Sequence, residues 1–149
     1  MTHLVSAFVA RAKSNRTEFV RFLKFATVGA IGAVVDYSVL NLGVQVLRLH
    51  LLVANAFSFT AAVLSNFTWN RLWTYPESRA EPLLGQLGQF ALVNVVGLGI
   101  NELILMSLDP FVSRVWPKWG YNISKAVAIG VVLFWNYGIN RIWTYRKVK

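Results

Sequence analysis

Two ionisable residues stand inside long apolar runs of this sequence and are the first candidates for chemistry. Asp36 is the one charged residue of the run 25–47, and Lys125 is the one charged residue of the run 121–140. An ionised side chain at the centre of a bilayer costs at least ~2.5–3.5 kcal/mol on insertion scales, so each needs a partner. Two alternatives stay open. Asp36 and Lys125 form a structural pair, or they bind or gate a substrate whose anion competes for Lys125.

The depth of these groups supports contact between them. At ~1.5 Å per helical residue, Asp36 lies roughly 18 Å from Lys24 and Lys125 lies roughly 24 Å from Arg141. Both positions fall in the outer half of the bilayer, and Glu102 reaches a comparable height. An anion is the ligand that a lysine at this depth would bind.

Small and polar side chains fall into one stripe on each apolar run when the residues are placed at 100° intervals. The stripes of the second and fourth runs occupy equivalent positions. They consist of Asn55, Asn66 and Asn70 in the second run and Lys125, Asn136 and Asn140 in the fourth. The first run has Gly29, Gly32, Asp36 and Gly43, and the third has Asn94, Gly97 and Asn101 with Glu102 beside them. Glycine faces allow close helix packing and Asn side chains form hydrogen bonds across helices, so packing and substrate binding both remain open for these stripes.

The ten residues 66–75 recur as residues 136–145, each time at the end of an apolar run. The repeat predicts a protein built twice from one two-helix unit. Its amide, guanidinium and indole groups suit a membrane–water boundary. We expect Trp69, Trp73 and Trp143 to lie at this interface or to stack on sugars, and Arg71 and Arg141 to reach the stripes or to extend toward lipid phosphate.

Composition places these runs in a membrane. The 149 residues are 56% apolar and 14% charged, with a mean hydropathy of +0.49, which leaves too little polar surface for a soluble globule. We predict an all-α membrane protein with four transmembrane helices, arranged as two parallel two-helix repeats whose axis follows the membrane normal. The predicted ranges are a basic N-terminal segment over 1–20, a transmembrane domain over 21–146 with helices at 22–47, 51–73, 83–108 and 121–143, and a basic tail over 147–149. We expect the first apolar run to be retained and not cleaved as a signal peptide, and Pro110 and Pro117 to break the helix in the second outer loop.

The formal charge of +9 is distributed by loop, with most Lys and Arg residues before the first run, between the second and third, and after the fourth. The positive-inside bias therefore predicts that both termini are cytoplasmic. Contact of these ends with anionic lipid headgroups explains the charge better than nucleic-acid binding, which we do not expect. Glycine faces also favour a homo-oligomer, most simply a dimer.

Several activities have no support in the sequence. It contains no phosphate-cradling glycine loop, no metal-ligand spacing, no activated nucleophile and no cysteine, and its hydrophilic segments are too short for a catalytic domain. We therefore predict a protein that is not an enzyme and has no catalytic residues, cofactor or metal.

Together these motifs resemble the GtrA-like family of small four-helix membrane proteins, and the resemblance extends over roughly residues 20 to 146. The residues that carry it are Arg21-Phe22, Phe25, Val28-Gly29, Asp36, Asn66-Phe67, Asn70-Arg71, Trp73-Thr74-Tyr75, Lys125, Asn136-Tyr137, Asn140-Arg141 and Trp143-Thr144-Tyr145. Asn55 stands where the family often has a lysine. The resemblance implies a flippase that moves polyprenyl-phosphate-linked sugars across the bacterial or archaeal cytoplasmic membrane for cell-surface polysaccharide glycosylation. A related pattern implies an accessory role beside a membrane glycosyltransferase.

The stripes agree with the first implication. Asn136 and Asn140 near the cytoplasmic face and Lys125 near the outer face would form a polar path, with amides for sugar hydroxyls and Lys125 for the phosphate. As an accessory subunit, the chain would use the Asn stripes for packing alone. An exporter of small cations would use Asp36 or Glu102, but Lys125 at similar depth disfavours a cationic ligand.

Overall fold

A computed structural model describes the backbone of residues 2–148 and the side chains of residues 15–50, 53–120 and 123–148. Met1 and Lys149, the ends of the predicted N-terminal segment and tail, lie outside the described residues. Four α-helices make up most of the chain: α1 Thr2–Asn41, α2 Leu51–Trp69, α3 Leu83–Val115 and α4 Gly120–Ile139. Three π-helical turns continue α1, α2 and α4, at Leu42–Val46, Asn70–Thr74 and Asn140–Thr144, and a short 3-10 helix spans Pro76–Ala80.

The chain divides into two compact units, Met1–Glu77 and Ser78–Lys149. Each unit contains two of the long helices, α1 with α2 and α3 with α4. The boundary lies between the two copies of the repeated ten residues, where the sequence predicts the end of the first two-helix unit.

In the first unit α1 and α2 form an antiparallel hairpin. Gly43 near the end of α1 contacts Ala54 near the start of α2, and Gly32 contacts Asn66 further along. The α1 helix begins at Thr2, so residues of the predicted basic segment 1–20 continue the helix that we expected to start at 22. The helix extends this far because residues 2–28 contain no proline or glycine that would interrupt it.

The connection between α1 and α2 turns at Arg48. This residue has a φ of 53°, in the left-handed region, and Leu49 N–H donates to Gly43 O at 2.9 Å across the turn. A side chain with a Cβ costs roughly 1–2 kcal/mol in this conformation.

Arg48→Gly is expected to raise the stability of the protein by about 1 kcal/mol, because glycine adopts this φ without the Cβ clash. Arg114→Gly is the matched control, since Arg114 is also exposed but lies in the last turn of α3, where glycine weakens a helix. The free energy of unfolding is measured by denaturant titration of the protein in detergent. A loss of stability for Arg48→Gly equal to that of Arg114→Gly would contradict the expectation.

In the second unit α3 and α4 also pack against each other, with Gly97 of α3 against Asn136 of α4 and Gly120 against Ser113 near the turn. The prediction that Pro110 breaks α3 is wrong, because the helix continues through Pro110 to Val115. A proline removes one backbone donor, whereas ending the helix there would leave several backbone groups without partners. The helix does end before Pro117, where Trp116 leaves the helical region with φ −126° and ψ 77°.

Three helical segments are long and apolar enough to cross a membrane, namely Asn15–Val46, Leu83–Val115 and Ile123–Thr144. The α2 helix spans 19 residues, none of them charged.

The burial of polar side chains and the exposure of large apolar ones reverse the distribution that is usual in a soluble protein. Ser58 and Ser124 have no exposed surface, whereas Val34, Phe57 and Phe134 are more than 60% exposed. Large apolar side chains on the outside of a helical hairpin are stable where lipid covers them. The placement therefore indicates a membrane protein.

Candidate functional site

The predicted site residues Asn66 and Asn136 lie at the contact between the two helices of their own unit. A Cβ atom added to Gly97 would lie 2.7 Å from Asn136 Oδ1, and one added to Gly32 would overlap the carboxamide of Asn66. Each glycine therefore provides the space that an amide fills. Both Oδ1 atoms are buried and have no hydrogen-bond partner among the described residues.

Asn70 and Asn140 begin equivalent π-helical turns. Tyr75 N–H donates to Asn70 O at 2.7 Å, and Tyr145 N–H donates to Asn140 O at 2.8 Å, so each turn contains one residue more than an α-helical turn. The side chains of Asn70 and Asn140 are almost fully buried, at 1% and 0% exposure. Thr74, Tyr75, Thr144 and Tyr145 are buried as well, and the extra residue turns the two tyrosines toward the side of the asparagines.

The two π turns differ in their hydrogen bonds. In the second unit Thr144 Oγ1 donates to Asn140 Oδ1 at 2.8 Å, and Asn140 Nδ2 donates to Asn136 O at 2.8 Å. In the first unit Thr74 Oγ1 and Asn70 Oδ1 are buried without a hydrogen-bond partner among the described residues. The sequence analysis did not predict either threonine as a site residue, although both lie within the repeated ten residues.

One arginine of the repeat, Arg141, bonds to the end of its own helix. Arg141 Nη1 donates to the carbonyl oxygens of Tyr145 at 3.2 Å and Val148 at 3.0 Å, so its guanidinium holds the chain that follows the π turn. Arg71 is half-buried at the equivalent position. The contacts of Arg141 favour a capping role at the helix end.

Trp69, Trp73 and Trp143 are 47%, 41% and 38% exposed, as expected of rings at a boundary. Lys24 lies close to one of them. Its Nζ donates to Trp73 O at 3.2 Å and lies 5.4 Å from the centre of the Trp73 ring. The sequence analysis used Lys24 only as a marker of the cytoplasmic end.

Asp36 and Lys125 are both half-buried, and Asp36 Oδ1 is buried without a hydrogen-bond partner among the described residues. The two residues belong to different units, so the Asp36–Lys125 pair stays a prediction. A buried carboxylate oxygen within an apolar helix is costly unless a ligand or a cation compensates it.

The remaining predicted residues are positioned within their own helices. Asn94 Nδ2 donates to Phe90 O at 2.8 Å, and Asn101 Nδ2 donates to Glu102 Oε1 at 3.3 Å. Asn101 is buried, whereas Glu102 and Asn55 are exposed.

The sequence analysis also missed the role of Arg21. This residue is 6% exposed, and its Nη1 lies 2.7 Å from Glu18 Oε1 while its Nη2 lies 3.4 Å from Glu77 Oε1. Its guanidinium carbon is 5.8 Å from the centre of the Tyr75 ring. The signal was the position of Arg21 one helical turn before Phe25, on the buried face of α1.

Two helical hairpins with apolar exteriors and buried amides define a membrane protein with an internal sequence repeat. Residues 24–145 match the family model of the GtrA/DPMS transmembrane domain. The chain belongs to this family, which confirms the resemblance seen in the sequence. It is also similar to the uncharacterized membrane protein YngA of Bacillus subtilis (strain 168), with 27% identity over 124 residues that cover 82% of this chain and 77% of the relative.

Proposed function

We propose that the protein is a flippase that moves a polyprenyl-phosphate-linked sugar across the cytoplasmic membrane for glycosylation of cell-surface polysaccharide. The headgroup of such a lipid is polar and anionic, so it cannot cross hydrocarbon unaided, while its tail can stay in the lipid. A protein that supplies polar contacts along the way lowers this barrier.

One observation carries the proposal. Four buried polar atoms of the stripes lack a hydrogen-bond partner among the described residues: Asp36 Oδ1, Asn66 Oδ1, Asn70 Oδ1 and Asn136 Oδ1. A buried polar atom without a partner costs about 1–3 kcal/mol. Such atoms persist where water or a polar ligand satisfies them, so the stripes support a hydrophilic path inside an apolar protein.

The proposed path uses the predicted residues in sequence. Asn66, Asn70, Asn136 and Asn140 bind the headgroup near the cytoplasmic face, with Arg71 and Arg141 at the helix ends. Lys125 then binds the phosphate in the outer half, with Asp36 as its resting partner. Asn55, Asn94, Asn101 and Glu102 extend the polar surface along the way.

The proposal includes four membrane crossings with both termini in the cytoplasm. The α2 helix carries no charged residue. It also follows α1 from Gly43 back to Lys24, through the contacts Gly43–Ala54, Gly32–Asn66 and Lys24–Trp73. A helix that packs along α1 over this length must return to the side from which α1 entered.

Single cysteines at Arg79 and Arg146 are expected to be shielded from an impermeant thiol reagent in intact cells, whereas cysteines at Arg48 and Arg114 are expected to react. All four side chains are exposed, and the chain has no cysteine of its own. Ser78 lies in the same loop as Arg79 but is 1% exposed, which makes it a poor reporter. Labelling at Arg79 and Arg146 from outside, with Arg48 and Arg114 shielded, would contradict cytoplasmic termini. Equal labelling at Arg48 and Arg79 would contradict a crossing by α2.

The function is tested with purified protein in vesicles that contain a short-chain polyprenyl-phosphate sugar labelled on the headgroup. We expect the whole labelled pool to become accessible to an impermeant reagent, where protein-free vesicles expose only the outer leaflet. We also expect the active form to be a homodimer, which crosslinking at low protein-to-lipid ratio measures in the same vesicles. If the vesicles behave as protein-free ones while the chain stabilises a membrane glycosyltransferase, the accessory function replaces the flippase.

A further inference from the structure

A cleft of about 380 Å³ lies at the end of the first unit where α1 passes the π turn Asn70–Thr74. Its walls are Arg16, Thr17, Val20, Arg21, Lys24, Thr74, Pro76 and Glu77. The predicted site residues do not line this cleft.

Positive charge dominates the walls. Arg21 is held by Glu18 and Glu77, so its charge is compensated. Neither Arg16 nor Lys24 pairs with a carboxylate among the described residues, and the carbonyl of Trp73 that accepts from Lys24 carries no net charge. Two cations therefore remain available for an anion.

A buried hydroxyl in the wall gives independent support. Thr74 is 2% exposed, and its Oγ1 has no hydrogen-bond partner among the described residues. The equivalent Thr144 donates to Asn140 at 2.8 Å, so the same side chain is satisfied in the second unit. A buried hydroxyl left without a partner beside two cations is suited to donate to an anionic oxygen.

The repeat shows that this chemistry belongs to the first unit alone. The offset of 65 residues that relates α3 to α1 replaces Arg16 by Glu81 and Lys24 by Gln89. Glu77 is replaced by Lys147 at an offset of 70, and Lys147 forms an ion pair with Glu81 at 2.6 Å. The second unit thus has the neutral ion pair Lys147–Glu81 at the positions where the first unit has excess positive charge.

We infer that this cleft is a binding site for the phosphate group of a lipid in the inner leaflet. Arg16 and Lys24 neutralise the phosphate and Thr74 donates to one of its oxygens, while Arg21 holds the wall in place through Glu77. Phe19 and Leu23 of α1, 61% and 49% exposed, provide apolar surface beside the cleft for the lipid tail. Taking this lipid to be the transported one, loaded here before it meets the Asn stripes, rests on the proposed function.

The test is calorimetric titration of the full chain, in nanodiscs of neutral phosphatidylcholine, with farnesyl phosphate and with farnesol as the uncharged control. We expect binding of farnesyl phosphate and none of farnesol. Arg16→Gln and Lys24→Gln are each expected to weaken binding about tenfold, the loss of one charge-assisted hydrogen bond. Arg146→Gln, which removes an exposed cation from the second unit, should leave the dissociation constant unchanged.

Thr74→Val separates binding from folding. It removes a hydroxyl that has no partner to lose, so we expect weaker binding at unchanged stability. Thr144→Val removes the bond to Asn140, so we expect lower stability at unchanged binding. Equal affinity of the parent and the Arg16→Gln/Lys24→Gln double variant overturns the site.

Competition identifies the source of the phosphate. Inorganic phosphate that binds as tightly as farnesyl phosphate overturns a lipid site. Dihexanoyl phosphatidylglycerol that competes equally supports the phosphate site but removes its loading role. Binding at equilibrium requires no translocation, so a chain that binds through Arg16 and Lys24 yet moves no lipid keeps this site and loses the proposed function.

Discussion

Lys125→Met is expected to abolish movement of the labelled headgroup across reconstituted vesicles while the helices remain folded. Methionine keeps the length of the side chain and removes the charge that the proposed path offers to the phosphate in the outer half. An ionised group in the bilayer is costly, so its removal is expected to leave the protein as stable as the parent or more so. The rate of headgroup exposure and the unfolding midpoint are measured on the same preparations.

Lys118→Met is the matched control. Lys118 is an exposed lysine in the turn before α4, where its ammonium lies 5.7 Å from the Trp119 ring, and it is not part of the proposed path. We expect the parental rate for this variant. If Lys125→Met moves lipid at the parental rate in an equally stable protein, Lys125 does not bind the phosphate, and the accessory-subunit interpretation becomes the better one.

Gly32→Ala is expected to destabilise the first unit by about 1–3 kcal/mol, the usual cost of overpacking. The added methyl would overlap the carboxamide of Asn66. Gly29→Ala, one turn earlier on the same helix, is the control because its Cβ would meet nothing within 4 Å. There alanine should stabilise the helix slightly. Denaturant titration in detergent gives both values.

A second substitution shows whether the loss of stability comes from this contact or from placing any larger residue in α1. Asn66→Ala removes the carboxamide that occupies the space, so Gly32→Ala/Asn66→Ala should recover most of the lost stability. The same cycle applies to Gly97 and Asn136 in the second unit, where the contact is 2.7 Å. Equal stability of Gly32→Ala and Gly29→Ala would show that the amide moves aside at no cost.

The architecture could be predicted in outline because hydropathy and internal repetition are properties of the chain itself. The lengths of the apolar runs predicted the four helices. The recurrence of the ten residues 66–75 as residues 136–145 predicted the boundary between the two units. Stripes also placed glycines on α1 and α3 and asparagines on α2 and α4. The contact between Gly32 and Asn66 could not be predicted. A stripe identifies the packed face of a helix, but not the axial register of that helix against its neighbour.

Other features depend on local backbone geometry that residue types do not specify. The π turns bring Tyr75 and Tyr145 to the buried side, whereas a regular helix at 100° per residue would place them about 140° from Asn70 and Asn140. Pro110 was expected to end α3, but the backbone requirement of an apolar environment outweighs the local preference of proline. Arg21 was counted as a topogenic charge, although its burial depends on Glu18, Glu77 and Tyr75 arriving from two segments.

The two π turns at the ends of α2 and α4 occupy equivalent positions, which bears on how the repeat arose. Each begins at the asparagine of the same repeated segment and spans five residues, Asn70–Thr74 and Asn140–Thr144. A π turn arises by insertion of one residue into an α-helix, and two independent insertions at one register are far less economical than a single one that was copied. One insertion before a duplication of the hairpin therefore accounts for both turns.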